Sequence, residues 1–388
     1  MNFDEKYIEQ RVVELTREFI KIPSTSGQEK EIQTIIIDKL TSLGLKVNLD
    51  DTGNVIAELS GKTDMPALLL SGHMDTVAAD TGWSYDPYSA KIVNGRIYGR
   101  GAADMKGGLA AIITAIEILQ NANIKLKGKL YLLATVREEV PTDNGIVYFL
   151  DYMKKKNIKI NSSIIGEPTS LNIGLGNKGR MEIKIITRGK STHASIPEKG
   201  INAIYSMAKI INNIEKMKLK SIYIKGVGKV KGALNVGVIK GGVRPNTVPD
   251  LCEIIIDRRL APTETPEKVL NEFKKIMNKL KEKNKRIKAE VNLRYPPAKP
   301  VIVSKNEVIV KSLEKAVRKI KKRVKFTFLP YTTEACYLNG TASIPTLIFG
   351  PGNILQAHAI DEYIEIKSLV DATKIYFLTI SEYLKKIN

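Results

Sequence analysis

Hydrophobic residues recur along this chain with two different periods, and the change of period divides it. Over residues 5–21 the apolar positions Ile8, Val12, Leu15 and Phe19 fall three or four apart, predicting a helix that stops before Pro23. A second periodic run reaches Leu43, with Gly44 as its stop. Short strands are predicted at 46–49, 55–59 and 67–70, the last a run of Ala and three Leu with no polar side. A long loop with Trp83 and Pro87 leads to a helix over 106–119, then to apolar strands at 130–136 and 163–165. Apolar strands alternating with helices predict a mostly parallel sheet covered on both faces.

After Gly176 the pattern changes. Residues 181–187 alternate apolar and polar, as a half-exposed strand does. Helices over 202–217 and 266–283, with strands at 234–239, 251–256 and 287–293, predict a small antiparallel sheet carrying two helices on one face. Beyond Pro296 and Pro297 the first style returns, with a strand at 346–349 and a closing helix from Ser368. The expected architecture is α/β: a catalytic domain formed by 1–177 and 296–388, with 178–295 inserted as an α+β domain.

A length of 388 residues independently suggests two domains, and 43% hydrophobic with 26% charged residues is enough apolar material for an ordinary folded core. The net charge of +20 raises nucleic acid or an anionic membrane as partners. The basic runs at 154–156, 274–288 and 315–325 argue otherwise. The two longer ones interleave Ile, Leu or Val at helical spacing, as solvated helix faces do, and no nucleic-acid-binding signature accompanies them. The expectation is therefore no nucleic acid and no membrane, with the positive field suited to capturing small anionic substrates. No apolar run reaches the roughly 18 residues needed to span a bilayer, and the charged start lacks the apolar stretch of a secretory leader. Cys252 and Cys336 lie far apart with no CxxC pair, which suits buried thiols in a reducing cytoplasm.

The chain has three histidines, His73, His193 and His358. Two of them follow predicted strands, His73 closely and His358 after a longer loop. Glu138 and Glu139 follow the 130–136 strand, Glu167 follows 163–165, and Asp104 sits in a Gly-rich loop before a helix. In open α/β sheets the crevice beyond the carboxyl ends of the strands is where ligands bind. A single histidine is commonly structural and a Glu-Glu pair commonly solvated. Acids that appear where apolar strands end are another matter, because carboxylates crowded into one crevice repel each other unless cations neutralise them. Mixed imidazole and carboxylate donors suit zinc, cobalt or manganese better than calcium or magnesium.

Several blocks in order then identify a resemblance over essentially the whole length: Ser71-Gly72-His73-Met74-Asp75-Thr76-Val77, Gly99 to Gly108, Glu138-Glu139, Gly166-Glu167-Pro168-Thr169, and Gly350-Pro351-Gly352 with Gln356-Ala357-His358. The chain resembles the co-catalytic metallopeptidase and deacylase family of acetylornithine deacetylase, succinyl-diaminopimelate desuccinylase, aminoacylase and carboxypeptidase G. The stretch from Tyr331 to Ala335 and the run from Gly350 to Tyr363 look most like acetylornithine deacetylases.

The resemblance implies a zinc-peptidase-like catalytic domain with an inserted lid and dimerisation domain, and two divalent metal ions per subunit, zinc first with cobalt or manganese as alternatives. His73 and Glu167 would hold one ion, Glu139 and His358 the other, and Asp104 would bridge them. Asp75 would accept the remaining ring N–H of His73, fixing its tautomer. Glu138 would be the general base, on a strand expected to end at Arg137. The Asp104–Met105 peptide would be cis. His193 would reach the oxyanion of a second subunit across a homodimer. Asn246 and Arg259 would hold the substrate carboxylate or the oxyanion, with Arg258 as the neighbouring alternative; Thr333, Lys178 and Gly352 would complete the substrate site. Lys178 and Arg180 lie at the predicted hinge, where a plain surface role is equally open.

The implied activity is hydrolysis of the amide of an N-acyl amino acid. The alternatives are a dipeptidase or carboxypeptidase with the same chemistry, and an inactive hydrolase fold serving as a basic binding protein.

Overall fold

The computed structural model describes residues 3–321 and 323–385, so Lys322 of the 315–325 basic run lies outside the described residues. The chain forms two compact units: Met1–Gly176 with Val303–Thr327 and Tyr337–Asn388, and Asn177–Ile302 with Phe328–Cys336. The expected segmentation is simpler, because the stretch 328–336 groups with the inserted unit although it lies beyond Pro297.

In the first unit the main sheet runs in the order Lys46–Leu49, Val55–Leu59, Lys129–Thr135, Ala67–His73, Ser162–Ile165, Thr346–Ile348, Ile173–Asn177. The four strands ending at Thr135, His73, Ile165 and Ile348 are parallel, and the strands flanking them are antiparallel. Every residue of Ala67–His73 is buried, so both faces of that strand are covered, as its unbroken apolar run requires. Helices Glu5–Ile20, Gly107–Asn121, Val308–Ile320 and Ile366–Tyr383 pack against one another, and Lys30–Ser42 packs on the first two strands. Helices Gly145–Lys155 and Ala335–Leu338 come without a sequence expectation of their own, and Val308–Ile320 begins ahead of the 315–325 run read at helical spacing. Gly145–Lys155 follows a polar Pro-Thr-Asp-Asn stretch and is capped by Asn144, which accepts from the Ile146 amide. Val308–Ile320 carries only the first part of the basic run, and its apolar side is buried through Ile309, Val310, Leu313 and Val317.

The second unit holds a four-stranded antiparallel sheet in the order Ala233–Gly241, Leu251–Leu260, Gly179–Arg188, Lys288–Leu293. Burial alternates strictly along Gly179–Arg188 and Leu251–Leu260. The buried side packs with helices Ala203–Glu215 and Pro266–Lys283 around Ile183, Ile254, Met207 and Phe273. A hairpin of Ser221–Ile224 and Gly228–Lys231, also without a sequence expectation, packs through Ile224 and Val230 on Phe328.

Candidate metal centre

The four parallel strands deliver side chains at their carboxyl ends. His73 is the last residue of its strand, and Glu167 stands two residues beyond Ile165. The strand before Glu138 stops at Thr135, two residues earlier than expected. Arg137 then adopts the left-handed conformation with φ +56°, turning the chain just ahead of the consecutive glutamates. Asp104 comes from a turn after Gly101, whose φ of +81° lies in the region that glycine takes without steric cost. A side chain on Gly101 would also meet Thr76 Cγ2 at 2.7 Å. The Asp104–Met105 peptide is cis.

These side chains converge. His73 Nε2 lies 3.2 Å from Asp104 Oδ1 and 3.9 Å from Glu167 Oε1. His358 Nε2 lies 2.9 Å from Glu139 Oε1 and 3.5 Å from the other Asp104 oxygen, Oδ2. Asp104 therefore turns one oxygen to each histidine. Among the described residues, ligand atoms of His73, Asp104 and Glu139 all fall within 4.8 Å of one another. His73, Asp104 and Glu167 are buried, whereas the His358 side chain is about half exposed, at 51%.

The electrostatics favour a cation here. Burial disfavours a protonated His73, yet its hydrogen bond to Asp104 and the charges of Asp104, Asp75 and Glu138 hold its pKa well above the imidazole range. His358 is raised chiefly by its hydrogen bond to Glu139. An imidazolium supplies the positive charge that these carboxylates demand. A divalent cation supplies it too, and leaves each Nε2 free as a donor to the metal. Nδ1 of His73 faces the Asp75 carbonyl oxygen at 2.8 Å. A carbonyl only accepts, so Nδ1 carries the proton and Nε2 is available to ligate. The donor set thus fits a pair of divalent ions.

Asp75 departs from its expected part. Its main-chain carbonyl, not its carboxylate, orients His73; the carboxylate stays 3.7 Å from Nδ1. That carboxylate instead accepts from the amides of Glu138 (3.0 Å) and Glu139 (3.1 Å) and from the Ser26 hydroxyl (2.6 Å). Glu29 accepts from the Arg137 amide at 3.0 Å, bracing the same turn. Burial pushes the pKa of Lys106 down to about 7, while its Nζ donates to the carbonyls of Phe19 and Ile22. Glu29 escapes a sequence reading because its partners are main-chain amides, which carry no residue signature.

The remaining candidates divide between the units. Gly352, in the first unit with φ +80°, lets its loop approach Ala103, whose Cβ an added side chain would meet at 3.2 Å. In the second unit, His193 accepts from the Ser195 amide on Nδ1 at 3.2 Å, and Ala194 donates to the Asn246 carbonyl at 3.0 Å. This brings the two loops together. An amide can only donate, so Nδ1 is the acceptor, and Nε2 of a neutral ring carries the proton. Thr333 is buried, accepting from the Ala335 amide and hydrogen-bonded to Asn177. Lys178 has its pKa lowered by burial, then by Arg259 and Arg258. Arg180 pairs with Glu182.

Arg258 is fully buried against Glu264, whereas Arg259 is partly exposed, chelated by Asp257 at 2.7 and 3.0 Å. Strand alternation carried the signal for that distinction. Cys252, Ile254 and Ile256 share the inward face with position 258, which leaves 259 on the other.

Residues 69–382 match the model of the peptidase family M20/M25/M40. The chain is 32% identical to an acetylornithine deacetylase of Shigella sonnei, with 96% of this chain and 97% of that one covered. Among solved structures it is similar to the aminopeptidase PepT of Bacillus cereus, at TM-score 0.79 and 26% identity over 97% of this chain and 99% of that one. It shares the fold of the M20 metallo-carboxypeptidase Sso-CP2 of Sulfolobus solfataricus, at TM-score 0.75 and 24% identity over 98% and 99%. Matched by the family model over most of its length, the chain belongs to the peptidase family M20/M25/M40 and is a hydrolytic enzyme.

Proposed function

We propose that this hydrolase releases the free amine from an N-acyl amino acid, with acetylornithine-type substrates first. The observation that carries the reading is Asp104, one carboxylate turned to two histidine–carboxylate pairs, in a chain similar over 96% of its length to an acetylornithine deacetylase. His73 and Glu167 would hold one divalent cation, Glu139 and His358 the other, and Asp104 would serve both; zinc is the metal proposed, with cobalt or manganese able to replace it. Such ions, when bound, lower the pKa of a water and polarise an amide carbonyl.

The rest falls to the chain. Glu138 takes the proton of the attacking water and returns it to the departing nitrogen, which requires a carboxylate held beside the ligands that does not itself hold an ion. The Asp75 carboxylate, fixed on the amides of Glu138 and Glu139, sets that division. Arg259 offers a guanidinium to a substrate carboxylate, with Asn246, Lys178 and Thr333 as further contributors. His193, from the inserted domain of a second copy of the chain, would donate Nε2–H to the developing oxyanion in a homodimer.

A peptidase reading has its own support in the likeness to a B. cereus aminopeptidase. The discriminating experiment is a panel of acetylornithine, other N-acyl amino acids and dipeptides, run on metal-reconstituted protein with metal counted in parallel. Turnover of dipeptides alone would replace the deacylase reading. Stoichiometric protein with no bound metal and no turnover would end both.

A further inference from the structure

Glu362 is fully buried, four residues after His358. Its Oε1 accepts from the amides of Ala103 (2.8 Å) and Asp104 (3.0 Å); its Oε2 accepts from the amide of Gly101 (3.0 Å) and from Arg100 Nη1 (2.9 Å). Its own carbonyl accepts from the Gly99 amide at 2.9 Å. Arg100, itself buried, also donates to the Ala359 carbonyl at 3.3 Å. One side chain therefore gathers three main-chain amides of the turn that carries Asp104 and joins them to the loop that carries His358. Beyond it, Tyr363–Glu365 pairs with Arg96–Tyr98, so both loops grow from one strand pair.

A carboxylate is the only side chain that suits this place. Both oxygens face donors, two on each. A glutamine in either orientation would press its NH2 against N–H groups, either two amides or an amide and a guanidinium. An aspartate, one methylene shorter, cannot reach all three amides while its backbone stays paired to Gly99. Arg100 keeps the charge compensated in a buried place that otherwise adds to the anions around Asp104.

We propose that Glu362 is a positioning residue: it clamps the turn at 101–104 against the 358–362 loop, so that the two oxygens of Asp104 serve two cations at once. This rests on the two-cation reading of the site. The geometry gives the clamp a specific consequence. When the turn slips, Asp104 keeps its contact with His73 or with His358 but not both, so one ion is weakened far more than the other.

The test is calorimetric titration of metal-free wild-type, Glu362→Gln and Glu362→Asp proteins with Co2+, with the visible absorption of bound cobalt and steady-state kinetics recorded alongside. Wild type is expected to take two ions. Both variants are expected to bind one ion near normally and the other ~10–100-fold more weakly, with an altered cobalt spectrum. Their kcat is expected to fall by a similar ~10–100-fold while KM holds. Either variant, folded by circular dichroism and binding both ions with wild-type affinity, overturns the clamp. If neither variant folds, hydrogen exchange of the metal-free wild type decides: the amides of Gly101, Ala103 and Asp104 are expected to be strongly protected, and fast exchange at them overturns it. A wild type that binds fewer than two ions sinks the two-cation reading instead, and leaves the exchange result standing.

Discussion

Asp75 divides its polar atoms between two neighbours: its carbonyl fixes the tautomer of His73, and its carboxylate receives the amides of Glu138 and Glu139. Consecutive glutamates thereby acquire different surroundings. Glu139 meets His358, while Glu138 is half-buried beside the cluster and contributes negative charge to His73. That difference separates a metal ligand from a base in the proposed mechanism, and it can be measured. Glu138→Gln keeps the shape and the main-chain contacts but cannot accept a proton. Its kcat should fall by about 10²–10⁴-fold with metal content unchanged, read by turnover and metal analysis on one preparation. Near-normal turnover would move the base elsewhere, and loss of metal would make Glu138 a ligand.

At the scale of elements, Glu117 ties three helices. From Gly107–Asn121 its carboxylate accepts from the Tyr7 hydroxyl (2.9 Å) and Arg11 Nε (2.8 Å) of Glu5–Ile20 and from Lys39 Nζ (2.7 Å) of Lys30–Ser42. Burial works to raise its pKa, but these donors win and hold it at about 2, against an ordinary value near 4.5. A carboxyl depressed on folding contributes stability that is complete above its unfolded pKa and is lost as pH falls from there towards the folded one. The stabilisation should therefore be intact at neutral pH and fade between about pH 4.5 and pH 2. Glu117→Gln is expected to cost about 1–3 kcal/mol at pH 7, with the difference from wild type shrinking across that acid range in denaturant melts. A variant as stable as wild type at pH 7 would show that these three donors contribute nothing net.

For the whole molecule, the proposed use of His193 across a homodimer gives a sharp expectation. His193→Ala should lower kcat by about 10²-fold or more without loss of metal, because it removes one donor to a developing oxyanion. In a two-fold dimer each site then draws on both chains. Mixing His193→Ala with Glu138→Gln under conditions that exchange subunits should restore activity, since one of the two sites in each hybrid has both residues intact. Inactive mixtures, with hybrids verified by mass, would place His193 in the service of its own chain or of no site. The net charge of +20 belongs to this scale as well, and it suits the capture of substrates that carry a carboxylate.

Much of this was legible in the chain because it is local. Unbroken apolar strands differ from alternating ones within a few residues, so the parallel core and the antiparallel sheet could both be read from their periods. His73, Glu138, Glu139 and Glu167 stand at or just beyond the ends of those strands, which is also a short-range property. Helix Gly145–Lys155 and the 221–231 hairpin escaped, and Val308–Ile320 was legible only through its basic run, since short amphipathic runs among polar residues acquire an inward face only from what packs on them. Only the tertiary structure decided which oxygen of Asp104 meets which histidine, that the Asp75 carboxylate serves the Glu138–Glu139 backbone, and that Glu362 gathers the amides of a turn far away in the chain. These are contacts of side chains with distant main-chain atoms. Every residue presents the same amide and carbonyl, so the sequence specifies that such partners exist, and the fold alone selects them.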